Sequence, residues 1–296
     1  MAEFINTLKL KFQNGDILIK LIFINAIVFL IIGAINVIGW LFRLNLPDIS
    51  HYLAVPADIE LAIKHPWTFF TYMFVHANLL HIFLNMLIFY WFGRIFINYF
   101  GQRNMGGLYI LGGLGGALLF IAAFNLIPAY SGMASLSTMV GASGAVMAII
   151  FASAFYRPDQ EITLFFFGRI KIIYIAIFLF IIDFFALRDS GNSGGHMAHI
   201  GGAAVGYLFA MQYKRGKNIT NWLNRLIDMI VNLFKPRPKK LRVKKKNTHT
   251  ETDQEYNQRR HRDAENIDHI LDKIKASGYS SLTKEEKKQL FDASRK

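Results

Sequence analysis

The chain contains no cysteine, which rules out disulfides and thiolate chemistry and leaves the redox compartment unread. Charge is the second scarcity. Charged residues make up 18% of the 296 residues, against roughly 25% in a typical soluble domain. The shortage is uneven: residues 1–213 carry 11 Lys+Arg and 9 Asp+Glu, whereas residues 214–296 carry 22 and 11. The formal net charge of +13 therefore belongs almost wholly to the tail. A cleavable leader is not expected, because the first apolar run has no small-residue cleavage site and is long enough to remain as a span. The H-E-x-x-H pattern of zinc proteases is also missing.

What is present is apolar sequence, 53% of the chain. Runs suited to crossing a bilayer, which takes about 20 residues per helix, lie near 20–41, 67–100, 108–127, 139–156, 170–187 and 197–213. The run 67–100 is too long for one span, and the chain is expected to turn into the bilayer near Leu79. A start at Trp67 would instead bury His81 roughly 20 Å deep, at about 1.5 Å per residue. Residues 43–78 then read as a long amphipathic loop with Trp67, Phe69, Phe70 and Tyr72 at headgroup level. Lys/Arg counts in the short loops favour both termini on the cytoplasmic side. The expected architecture is all-α: a polytopic membrane protein with a six-transmembrane-helix bundle and a cytoplasmic helical tail. Its parts are an N-terminus 1–19, a six-span core 20–213, an interfacial helix with a polybasic segment 214–247, and a polar tail 248–296.

Small residues recur at four-residue spacing: Gly112 and Gly116, Gly144, Ala148 and Ala152, Gly202 and Gly206. Such faces let helix backbones approach closely in lipid. In the tail, residues 219–234 carry one apolar helical face, and eight Lys/Arg follow in residues 235–246. That run suits anionic lipid, the nearer partner on the cytoplasmic side, better than nucleic acid, which is not expected. Residues 247–260 read as unstructured. Residues 262–294 read as a short helix pair, with Thr283 and Glu286 forming a capping box.

Polar groups within the apolar runs are costly and mark sites. They are His81 and Asn85, Ser143, Asp183, and His196 and His199. Ser143 and His199 each lie about one turn into an expected span that starts at the outer face, and His81 and Asn85 reach the same depth on span two. A serine needs a base, and histidine titrates near working pH. Gly141 and Gly144 leave room at the serine, and the Ser143 N–H, His81 and Asn85 are neutral donors for an oxyanion. No acidic residue suits an orienting role, so a Ser143–His199 dyad is the economical reading. Asp183 is read as approaching the outer interface, His196 as a loop residue and His76 as a polar residue of the outer loop. Each motif alone also fits ordinary helix packing; their joint occurrence at one depth points to catalysis. Two other readings stay open: a helix-binding protein without activity, and a metal transporter using His76, His81, His196 and His199.

Across residues 20–213 the chain resembles the rhomboid intramembrane proteases. The matching pieces are His81-Ile-Phe-Leu-Asn85, Gly141-Ala-Ser143-Gly144, and Ala198-His199-Ile-Gly-Gly202-Ala-Ala-Val-Gly206. The resemblance implies a serine endopeptidase with Ser143 as nucleophile, His199 as base and an oxyanion site of Ser143 N–H, His81 and Asn85. It implies no metal, no cofactor, transmembrane segments as substrates, and residence in a bacterial cytoplasmic membrane. Two positions depart from the family pattern: Thr68 follows Trp67 where many members have arginine, and Met147 replaces an aromatic one turn after the serine.

Overall fold

The computed structural model describes residues 14–164, 168–188, 191–234 and 252–294, together with Asn6, Leu10 and Phe12. The basic run 235–246 lies outside the described residues. The chain divides into two compact units, Met1–Lys235 and Pro236–Lys296.

The first unit contains α1 (Ile17–Leu41), α2 (Leu79–Leu126), α3 (Ser143–Tyr156), α4 (Ile172–Ala186), α5 (Ser193–Lys214) and α6 (Asn221–Phe234). Helix α2 starts at Leu79, where Asn78 accepts the His81 N–H at 2.9 Å. It is broken at Gly101, whose φ of 75° and ψ of 165° are non-helical. Glycine takes this φ at no steric cost, and the chain reverses there into two arms, 79–100 and 102–126. Two short antiparallel ladders accompany the helices. In one, β1 (Val55–Pro56) pairs with β2 (Thr138–Met139), and in the other β3 (Glu161–Leu164) pairs with β4 (Gly168–Lys171). The first ladder takes up residues 138–139, so α3 begins at Ser143 rather than at 139. At 14 and 15 residues, α3 and α4 fall short of the length of about 20 that a full crossing takes. Helices α1 and α2 have the length and apolar composition for it.

Helix α3 is the axis, with Gly144–Ala154 all buried. Its neighbours touch it backbone to backbone. A Cβ on Gly202 would lie 1.9 Å from the Gly144 carbonyl oxygen, and one on Gly206 would lie 2.1 Å from that of Ala148. On the second arm of α2, a Cβ on Gly112 would lie 2.4 Å from Ala148 Cβ. These contacts are closer than any side chain permits, which is how small residues hold helices together in lipid. Helix α4 is the opposite case: it buries only Ile172, Ala176 and Asp183, and Phe178 and Phe185 stand 62% and 75% exposed. An apolar surface of this extent marks a membrane or protein interface.

The loop over the bundle differs from the headgroup-level reading at Tyr72. Trp67 and Phe70 are exposed, but Tyr72 is 1% exposed and its hydroxyl donates to the Gly113 carbonyl at 2.6 Å. The glycine-rich arm leaves room for the ring, and a buried hydroxyl requires an acceptor. His76 lies in this loop, as expected, and is buried there. Thr68 is buried, its hydroxyl donating to the His65 carbonyl at 2.7 Å. At the other end of the bundle, α6 docks on the Gly101 turn. Asn104 Oδ1 accepts from Asn218 Nδ2, Thr220 Oγ1 and Asn224 Nδ2 at 2.8, 3.0 and 3.2 Å. Trp222, Met229 and Ile230 stay exposed, whereas Leu223 is buried.

The second unit holds α7 (Asp253–Ser277) and α8 (Lys284–Ala293), each opened by a complete capping box, Thr252 with Glu255 and Thr283 with Glu286. Residues 253–260 are therefore helical, contrary to the unstructured reading of 247–260. Ile270 and Leu282 are buried in this unit, and Lys273 bonds Glu286 at 2.8 Å.

Candidate active site

Ser143 is the first residue of α3. Its N-cap, Ala142, supplies no side-chain cap, so the first N–H groups of the helix lack an intrahelical partner and mark its electropositive end. The approach to the serine is set by Gly141, held at φ 128° with its N–H donating to the Tyr72 carbonyl at 2.9 Å. A Cβ there would lie 3.0 Å from both His81 Cε1 and Nε2 and 3.7 Å from Ser143 Oγ. Gly141 therefore keeps open one small volume bordered by the imidazole and the hydroxyl. Asn85 stands one turn below His81 and donates one amide proton to the His81 carbonyl at 2.9 Å, which leaves its second proton as a donor. A cavity of about 520 Å³ adjoins this volume, with Asn78, His81, Val140, Ser193 and Gly194 in its wall.

His199 lies in the second turn of α5, and its neighbour Ala198 fixes where that turn sits. The Ala198 carbonyl oxygen is 3.2 Å from a Cβ built on Gly144 and 2.9 Å from one on Gly116. The turn carrying His199 is thus wedged between the start of α3 and the second arm of α2. The histidine ring, however, is engaged by an acid. His199 Nδ1 lies 2.8 Å from Asp183 Oδ1, and His196 Nδ1 lies 2.7 Å from the same oxygen. An ionised carboxylate can only accept, so each imidazole donates through Nδ1. Among the described residues no hydrogen bond joins His199 to Ser143; such bonds commonly tighten only when substrate is bound.

This corrects three expectations. An acidic residue does sit where it can orient His199. Asp183 does not run free toward the interface: it is 5% exposed and one of the three buried residues of α4. His196 is in the first turn of α5, not in a loop. Two signals in the sequence pointed this way, namely a lone carboxylate in an otherwise apolar run and two histidines three apart, which share a helix face. The four histidines of the transporter reading fall into two pairs. His76 and His81 have ring centroids 5.1 Å apart, His196 and His199 5.9 Å apart. Among the described residues, the group that could ligate a metal is Asp183, His196 and His199, whose ligand atoms all lie within 4.8 Å of one another.

Fold and site together define a helical bundle with a serine at an uncapped helix start, the His81 ring bordering its hydroxyl, and the His199 turn packed against the same helix end. A family model described as the Rhomboid domain matches residues 64–215, about half of the chain, and the chain belongs to the rhomboid family. It is therefore a membrane protein. It is similar to RHOMBOID-like protein 12, mitochondrial, of Arabidopsis thaliana, with 30% identity over 158 residues, 51% of this chain and 47% of that protein. The chain spans about half the length of this curated relative. Residues 250–296 match a further model, described as Family of unknown function (DUF6576).

Proposed function

We propose that the chain is an intramembrane serine endopeptidase that hydrolyses peptide bonds in or near the transmembrane segments of membrane proteins. The observation that carries this reading is the shared volume at Gly141, bordered by Ser143 Oγ and the His81 ring, with the His199 turn packed against the same end of α3. Ser143 Oγ attacks the scissile carbonyl while His199 Nε2 takes its proton. The Nδ1–H bond to Asp183 holds the tautomer that leaves Nε2 unprotonated, the role a carboxylate plays in a serine-protease triad. Charge developing on the carbonyl oxygen is met by the Ser143 N–H, His81 and the free amide proton of Asn85. His199 then protonates the leaving amine, an acyl-enzyme remains, and His199 activates the water that hydrolyses it.

In this reading the two arms of α2, with α1, α3, α4 and α5, make six crossings. Both termini face the cytoplasm of a bacterial inner membrane, and the basic run 235–246 meets anionic lipid. The Lys/Arg asymmetry of the short loops supports the orientation.

The test is cleavage of a generic transmembrane substrate in liposomes by the wild type, Ser143→Ala, His199→Ala and Asp183→Asn. Loss of cleavage by several orders of magnitude is expected for the first two variants. A fall of about 10²-fold is expected for the third, less than the roughly 10⁴-fold of a dedicated triad carboxylate, because Oδ1 is shared by two imidazoles. Cleavage that persists in Ser143→Ala overturns the assignment. Substrate that co-purifies uncut with every form, wild type included, would instead favour a helix-binding protein without activity.

A further inference from the structure

Asp183 is a buried carboxylate whose neighbours are two imidazoles and, among the described residues, no lysine or arginine. A buried anion without a cation is costly. Two histidine nitrogens from one face of α5 and one carboxylate oxygen from α4 form the set of three protein ligands that leaves a fourth position of a divalent transition metal open. The side chains of His196 and His199 are 15% and 22% exposed, so an ion can reach them. Their nitrogens stand 2.7 and 2.8 Å from the oxygen and the three ligand atoms lie within 4.8 Å of one another, so modest side-chain rotation would set them around a metal with bonds of about 2.0–2.1 Å.

We propose that Asp183, His196 and His199 form a binding site for a zinc-class divalent cation, and that the bound ion switches the serine site off. The chemistry turns on one atom. With Asp183 as partner, His199 Nδ1 carries the proton and Nε2 offers its lone pair toward Ser143. With a metal as partner, Nδ1 gives its lone pair to the ion and the ring's single proton moves to Nε2. That tautomer cannot take the serine's proton. No net proton is gained or lost by the neutral ring, and the ion leaves when its concentration falls. His196 has no part in the proposed hydrolysis, and a second ligand on the same oxygen accounts for its position. The binding half stands on these three residues alone; the inhibitory half rests on the proteolytic reading.

The experiment uses tag-free full-length protein in detergent, stripped with a chelator and titrated with zinc chloride. Metal per chain is measured directly for the wild type, His196→Ala, His196→Gln and Asp183→Asn. One zinc per chain is expected in the wild type, bound at least about tenfold more weakly in each variant, since even an outer-shell partner is worth about 10- to 100-fold. Equal binding by all four proteins, or none by the wild type, overturns the site. In a second arm, Ser143 is labelled with a fluorophosphonate with and without zinc. Zinc is expected to block labelling of the wild type and to block His196→Ala only at least about tenfold higher zinc. Bound zinc with unchanged labelling overturns the switch but not the site. If the wild type never labels, the proteolytic reading fails and the metal counts still decide the binding half.

Discussion

The membrane unit and the C-terminal unit of this chain are held by opposite means. In the first, contact depends on side chains that are missing: Gly202, Gly206 and Gly112 bring backbones together at distances that no Cβ could share. In the second, the termini of two polar helices are closed by side chains that are present, Thr252 with Glu255 and Thr283 with Glu286, and Lys273 ties Glu286 across the pair. The difference follows from the solvent. Lipid offers no hydrophobic gain for bringing helices together, so close packing has to supply it. Water competes for every helix-terminal N–H, so caps supply what a small buried core around Ile270 and Leu282 does not.

The contrast breaks most visibly at Gly202. Gly202→Val would drive a side chain into the Gly144 carbonyl, and loss of the folded bundle together with its activity is expected, read as collapse of the thermal transition in detergent. A wild-type-like transition would mean that α3 and α5 have freedom the backbone distances deny. Asn104→Ala comes next. It removes the acceptor of the Asn218 amide, while Thr220 Oγ1 and Asn224 Nδ2 fall back on Asn218 Oδ1 at 2.7 Å and Thr220 Oγ1 at 3.0 Å, so a loss of roughly 1–3 kcal/mol is expected for the one donor left buried and unpaired. Faster amide exchange in α6, with α3 still protected, is the expected signature.

In the tail unit, Thr252→Ala and Thr283→Ala should each cost about 1 kcal/mol. The loss should be confined to the first turns of α7 and α8 in hydrogen exchange of the full chain. Acid should act on the same place. The Lys273 ammonium, the Thr283 backbone N–H and the Thr283 hydroxyl hold the Glu286 carboxyl down at about 2, against 4.5 for a free glutamate. A depressed folded-state pKa stabilises above the unfolded value and is lost as pH falls through the folded one. Protection at the start of α8 should therefore be steady above about pH 4.5 and decline from there toward pH 2, while Glu286→Gln should show no such decline. The smallest effect belongs to Gly33 of α1, which has nothing within 4 Å of a Cβ. Gly33→Ala should leave stability unchanged or slightly raised, in direct contrast to Gly202.

Much of the fold was legible in the residues. The start of α2 at Leu79, the α8 capping box and the small-residue faces all depend on a few neighbours in the chain, and local patterns report local geometry. The Thr252–Glu255 box was equally local, but it lay in a polar stretch whose composition argued for disorder. The candidate site was legible where its members sit in short motifs, as Ser143, His81 and Asn85 do. Asp183 was not. Its run is apolar on every side, so no periodicity marks which face of α4 turns inward.

By itself, then, the sequence determined an apolar helical body, a basic tail, and a few polar residues set in three apolar runs, because composition and spacing are properties of the chain. Only the tertiary structure decided that Asp183 meets His196 and His199, that Tyr72 reaches Gly113, and that Asn104 gathers α6 onto the Gly101 turn. Each of those contacts depends on how one helix is rotated about its axis against another, and that rotation is set by packing across the bundle.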